Sequence, residues 1–83
     1  MERNGEKMQK RLSEFKIGEG GTVVKVSGEG AIRRRLFDMG ITPGAHVYFR
    51  KSAPLGDPIE ITLRGYELTL RKAEAAFVEM KLD

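Results

Sequence analysis

Ile59 to Arg71, IEITLRGYELTLR, decides the fold. Ile59, Ile61 and Leu63 alternate with Glu60, Thr62 and Arg64; after Gly65, Tyr66, Leu68 and Leu70 alternate with Glu67, Thr69 and Arg71. A repeat of two is that of a strand with one buried and one wet face, as in antiparallel sheet. The Arg64-Gly65-Tyr66 link is short enough for a tight hairpin. Just upstream, Val47 and Phe49 alternate with His46, Tyr48 and Arg50 in the same way. Ser52 to Pro58 then joins that strand to the next as a longer loop.

Outward from this centre, Thr22 to Ser27 (TVVKVS) predicts a first strand, and Val78, Met80 and Leu82 predict a last one. Between the first strand and the hairpins, Ala31 to Met39 predicts a helix with Ile32, Leu36 and Met39 on one face. Gly40 stands where a helix-ending glycine belongs. Thr42-Pro43-Gly44-Ala45 suits a type II turn. A single helical turn is expected over Arg71 to Ala76. Upstream, Gly18, Gly20 and Gly21 are expected to break the chain, and Leu12, Phe15 and Ile17 to close on the core through one turn of helix. Residues 1–11 are polar and charged and are expected to form a flexible arm ahead of a domain over residues 12–83. Five short antiparallel strands with one helix after the first favour a closed or nearly closed barrel, because closure removes exposed strand edges.

With 83 residues and no cysteine, the fold has neither disulfides nor zinc thiolates to stabilise it, and an aliphatic core must suffice. Fifteen Lys and Arg against twelve Asp and Glu give a net charge of +3, ordinary for solubility. No apolar stretch approaches the length of a membrane span and no signal-peptide pattern opens the chain, so a cytoplasmic protein is expected.

RRRLFDMGITPG (Arg33 to Gly44), APLGDPI (Ala53 to Ile59), RGYELTLRK (Arg64 to Lys72) and Glu74-Ala75 follow one another as they do in the FeoA family, which this chain resembles over residues 12 to 82. The resemblance implies a mainly β, five-stranded antiparallel SH3-like barrel, related to the C-terminal domain of DtxR-type repressors. It also implies a role in bacterial ferrous iron transport through contact with the cytosolic region of FeoB, a GTP-binding membrane transporter. Recruitment to the inner face of the membrane would come only through that partner. It implies no catalytic residue, cofactor or metal ligand that transfers to this sequence.

The residues themselves bear on the same question. Arg34 reaches Asp38 at i+4, an ordinary surface pair; Arg35 borders the apolar face, where its stem can pack and its fork meet a carboxylate or carbonyl. Arg33 is left freest for a partner. Phe37 falls off the Ile32-Leu36-Met39 face, either covering the segment around Leu12 and Phe15 or forming a contact patch. In Ala53 to Pro58, two prolines and a glycine make a stiff loop with Leu55 at its tip. Arg33, Phe37 and Leu55 are therefore the candidate partner-binding residues.

His46, the sole histidine, is expected to face outward; alone it offers a weak adventitious metal site, helped at most by Glu60 and Glu67. Gly18-Glu19-Gly20-Gly21 and Gly28-Glu29-Gly30 lack the lysine and hydroxyl of a phosphate loop. Ser13, Ser27 and Ser52 have no base in a recognisable motif, so no enzyme is expected. Two rivals remain in view, a nucleic-acid-binding barrel and a metal-responsive corepressor-like module. Acidic residues interspersed through the strands (Glu60, Glu67, Glu79) and the lack of a stacking platform around Tyr48 and Tyr66 weigh against specific nucleic-acid binding. Self-association is left open.

Overall fold

The structure is a computed structural model that describes residues 8–83. Six strands form one sheet: β1 (Gln9–Arg11), β2 (Gly20–Val26), β3 (His46–Ser52), β4 (Ile59–Leu63), β5 (Tyr66–Leu70) and β6 (Val78–Leu82). Their order across the sheet is β1-β6-β2-β3-β4-β5, and every pairing is antiparallel. Helix α1 (Ala31–Asp38) links β2 to β3, α2 (Lys72–Ala75) links β5 to β6, and a 3₁₀ turn over Leu12–Glu14 follows β1.

The alternation carries over directly into burial. Val47, Phe49, Ile59, Ile61, Leu63 and Leu70 are buried, while His46, Tyr48 and Glu67 face water. With Leu12, Phe15, Val23, Val26, Leu36, Ile41, Val78 and Met80 they form one continuous core, and among the described residues it contains no polar or charged side chain. In β2 the register slips between Val23 and Lys25. This bulge leaves both Val24 and Lys25 facing out, so that Val23 and Val26 can both point inward, against strict alternation. A second slip between Phe49 and Lys51 bends β3 against β4.

The sheet has six strands where five were expected. Gln9–Arg11, assigned to the flexible arm, pairs with β6 in the register Gln9↔Lys81, Lys10↔Met80 and Arg11↔Glu79. The strand escaped notice because backbone hydrogen bonds hold it, and its side chains carry no apolar alternation. Helix α1 consequently follows the second strand. The remainder of the expected arm, residues 1–7, lies outside the described residues.

Gly20 and Gly21 likewise lie inside β2, where a break was expected. The reason is close approach: a Cβ on Gly21 would sit 2.4 Å from the Lys81 carbonyl oxygen of β6. Only glycine lets the two strands come together there.

Local signals elsewhere hold. The Ile41 N–H donates to the Leu36 carbonyl and the Gly40 N–H to the Phe37 carbonyl, 3.0 and 2.9 Å, with Gly40 at φ +95°. That is a Schellman ending, and it delivers Ile41 fully buried into the core. The Ala45 N–H closes the next turn onto the Thr42 carbonyl at 2.9 Å. The β4–β5 hairpin turns on two residues, Arg64 and Gly65, both at positive φ.

Two expected core contacts are absent. On α1 only Leu36 is buried; Met39 packs partly against the core, but Ile32 is 39% exposed. One fully buried leucine, with Phe37 and Met39 packed partly against the core, suffices to seat so short a helix. Ile17 is also largely exposed, while Leu12 and Phe15 are buried as expected.

Candidate docking surface

Helix α1 carries the most distinctive surface. Its N-terminus is Gly30, without a side-chain cap, and no acidic residue lies in its first turn. Arginines at 33, 34 and 35 fan around the helix at 100° intervals and so meet three different environments.

Arg33 and Phe37, one turn apart, come together: the guanidinium lies over the phenyl ring at 4.7 Å from its centroid. The Arg33 Nε also donates to the Val26 carbonyl at 3.4 Å. Arg33 is therefore held in place rather than free, as the sequence reading had it, and its charge is presented in a fixed position. Phe37 is half-buried with one side packed against the core. Gly30, Arg33, Arg34 and Phe37 line an open recess of about 330 Å³. A cation stacked on an aromatic beside a shallow recess is rigid, amphipathic and costs little entropy to use.

Arg35 meets a carboxylate, as expected of its position. Its Nε lies 3.3 Å from Glu74 Oε2 on α2, and Glu74 Oε1 accepts from the Arg71 N–H at 3.0 Å. One glutamate thus caps α2 and ties α1 to it. The Arg34–Asp38 pair expected at i+4 does not form; among the described residues Arg34 has no ion-pair partner.

Leu55 stands at the tip of the β3–β4 loop with 95% of its surface exposed. The loop beneath it is fixed. Gly56 N–H donates to the Ala53 carbonyl, Ala53 N–H to the Pro58 carbonyl, and Lys72 N–H to Asp57 Oδ1 at 2.9 Å. Among the described residues no hydrogen bond, ion pair or cation–π contact joins Leu55 to Arg33 or Phe37. The structure unites Arg33 and Phe37 in one direct contact, of which Leu55 is not a part.

His46 faces water and its Nε2 lies 2.9 Å from Asp83 Oδ2. Glu60 and Glu67 are paired with Lys51 and Arg50 instead. Among the described residues no three His, Cys, Asp or Glu side chains converge as a metal site would require. Near the 3₁₀ turn, Glu19 accepts from the Lys16 N–H at 2.8 Å and meets the Lys10 ammonium at 2.9 Å. The backbone hydrogen bond first, then the lysine, holds its carboxyl below the usual glutamate range.

Sequence reasoning missed a second surface. Met39, Leu63, Tyr66 and Leu68, with Asp38, Gly40 and Arg64, line a groove of about 370 Å³ beside β5. Tyr66, expected to point into the core, is 72% exposed there. It sits next to the hairpin turn, beyond the point where the core still covers β5.

No helix among the described residues is long and apolar enough to cross a membrane. A family model described as the FeoA domain matches residues 10–82. The Fe(2+) transport protein A/Fe(2+) transporter FeoB fusion protein of Porphyromonas gingivalis (strain ATCC BAA-308 / W83) is 36% identical over 72 residues. That match covers 87% of this chain and only 8% of the relative's length. The solution structure of the FeoA protein from Chlorobium tepidum is 42% identical with a TM-score of 0.81, covering 88% of this chain and 70% of that one. FeoA of Stenotrophomonas maltophilia, solved with zinc and described as a prokaryotic SH3 domain protein, is 28% identical with a TM-score of 0.73 over 89% of each chain. A manganese-dependent transcriptional repressor shares the fold alone, at 17% identity and a TM-score of 0.84. The architecture is mainly β and SH3-like, as the resemblance implied, with six strands in place of five.

Proposed function

The chain belongs to the FeoA domain family, and from that membership we propose that it is a small accessory module of ferrous iron uptake. It acts by protein contact with the cytosolic region of a FeoB-type GTP-binding transporter, and it carries out no catalysis itself. Fe2+ is the transporter's cargo. The observation that carries this reading is the Porphyromonas gingivalis fusion, in which a matching domain and the transporter share one chain. Tethering two modules with a short flexible linker sets an effective concentration on the order of millimolar. That arrangement serves parts that work in contact. By the same reading the module works in the cytoplasm and reaches the membrane through its partner.

Such a contact needs an ordered docking face. Arg33 stacked on Phe37 supplies a fixed cation and aromatic, the residue types that dominate interface energetics, and Leu55 supplies an exposed apolar tip. The test is co-purification with the detergent-solubilised transporter, alongside iron uptake in cells. Leu55→Ala is the cleanest variant, because so exposed a side chain contributes little to folding. Phe37→Ala is expected to lower the melting temperature somewhat, since the ring packs partly on the core, and also to reduce co-purification. An Arg33, Phe37 and Leu55 triple alanine variant that binds and supports uptake like wild type puts the docking face elsewhere. If the wild-type chain itself fails to co-purify, the transporter reading fails.

A further inference from the structure

The two edges of the sheet are β1 and β5, and they differ in kind. β1 has three residues, Gln9, Lys10 and Arg11. A short, charged edge is how folded proteins discourage strand addition. Of these devices β5 keeps only a single charge, Glu67. It runs for five residues without proline, lysine or glycine, and its register with β4 is unbroken from Leu63↔Tyr66 to Ile59↔Leu70.

Its free hydrogen-bonding groups can be assigned. A two-residue hairpin closes on a hydrogen-bonded pair, here Leu63 and Tyr66, and such pairs alternate along an antiparallel ladder. Tyr66, Leu68 and Leu70 therefore bond to β4, while Glu67 and Thr69 turn their N–H and C=O toward the open edge. Both residues are exposed, and among the described residues no other group bonds to their backbone. The row ends at Leu70, because the Arg71 N–H is held by Glu74 Oε1 and its carbonyl by the first turn of α2.

We infer that this edge binds a second copy of the chain, β5 against β5, antiparallel, with Leu68 on the two-fold axis. That register sets Glu67 opposite the partner's Thr69 and Thr69 opposite the partner's Glu67. All four free groups on each copy are then satisfied, and no other backbone bond has to open. Side chains agree with it. Glu67 meets a threonine, and Leu68 meets the partner's Leu68. A register centred on Glu67 would set two carboxylates face to face. One centred on Thr69 would require the Arg71 N–H, which already caps α2. The groove formed by Met39, Leu63, Tyr66 and Leu68 lies along the same strand, so the pairing also covers the exposed Tyr66 ring. Two strands of this length bury less than the roughly 1,200 Å² of stable complexes, so the dimer is weak and concentration-dependent. This inference goes beyond the transporter reading and does not depend on it.

Sedimentation velocity on the full chain over rising protein concentration is expected to show a reversible monomer–dimer shift. Thr69→Pro removes an outward N–H and no ladder bond, so the monomer should melt near the wild-type temperature and stay monomeric. The chain has no cysteine, which permits a single-site cross-linking comparison. Residues facing each other across the axis as a non-hydrogen-bonded pair have Cα atoms about 4.5 Å apart, within disulfide reach. Mild oxidation should therefore cross-link Leu68→Cys at least about tenfold faster than Glu67→Cys, whose two copies are offset along the strands by two residue rises in all, about 7 Å, which with the strand spacing puts them beyond that reach. A monomer at every concentration overturns the inference. So does a dimer that persists in a folded Thr69→Pro variant, or equal cross-linking of the two cysteine variants.

Discussion

Replacing Leu36 with alanine tests how α1 is held to the sheet. Leu36 is the helix's one buried side chain, with no exposed surface, and its carbonyl accepts from the Ile41 N–H in the Schellman ending. Truncation of a fully buried leucine costs about 2–5 kcal/mol, depending on how far the site collapses. Ile41 is fully buried five residues on and Ala45 is nearly so, and both follow from the same helix ending, so little is free to refill the space. A loss of about 3 kcal/mol is expected. For a domain of this size each kcal/mol lowers the melting temperature by roughly 4–8 °C, which places the shift at about 12–24 °C. Ile32→Ala serves as the internal control, because that side chain is 39% exposed and its truncation should cost less than about 1 kcal/mol. Urea titration followed by circular dichroism gives both values with m unchanged. Equal losses for the two variants, or an unchanged midpoint for Leu36→Ala, would show that the helix is not anchored through Leu36.

Gly21→Ala should destabilise the fold by about 1–3 kcal/mol, since its Cβ would meet the Lys81 carbonyl oxygen of β6 and strands cannot separate locally without opening their ladder. The same change at Gly18, where an added Cβ meets nothing within 4 Å but φ is +94°, tests backbone strain alone. The Glu19 carboxyl is held below its usual range, so its contribution to stability is full above that range and fades as pH falls through the lowered value. Comparing Glu19→Gln with wild type in melts from neutral to strongly acid pH should show a gap that closes on acidification; a gap independent of pH would refute the assignment.

Much of the architecture was legible because it is written in local chemistry. The alternation from Ile59 to Leu70 set two strands and their hairpin, and Gly40 directly after the Ala31 to Met39 stretch set where α1 ends. Thr42 to Ala45 set the turn that follows. Each depends on residues within a few positions of one another, whose preferences act before any distant contact exists. The candidate surface was half legible. Arg33 and Phe37 are one turn apart on any helix, so their proximity was given, but the Val26 carbonyl that fixes Arg33 comes from a different strand.

What the sequence by itself determined, then, is a mainly β domain with a single short helix, and a chain of ordered motifs that marks its family. Tertiary structure alone decided the rest, wherever a second strand or the edge of the core sets the outcome. β1 exists because β6 offers it backbone partners, a force blind to the side chains of Gln9, Lys10 and Arg11. Gly21 is required by a carbonyl sixty residues away in the chain. Ile32 and Tyr66 follow the correct period yet lie where the core has run out, so their apolar surface faces water. Periodicity states which face a side chain takes, and only packing states whether anything covers that face.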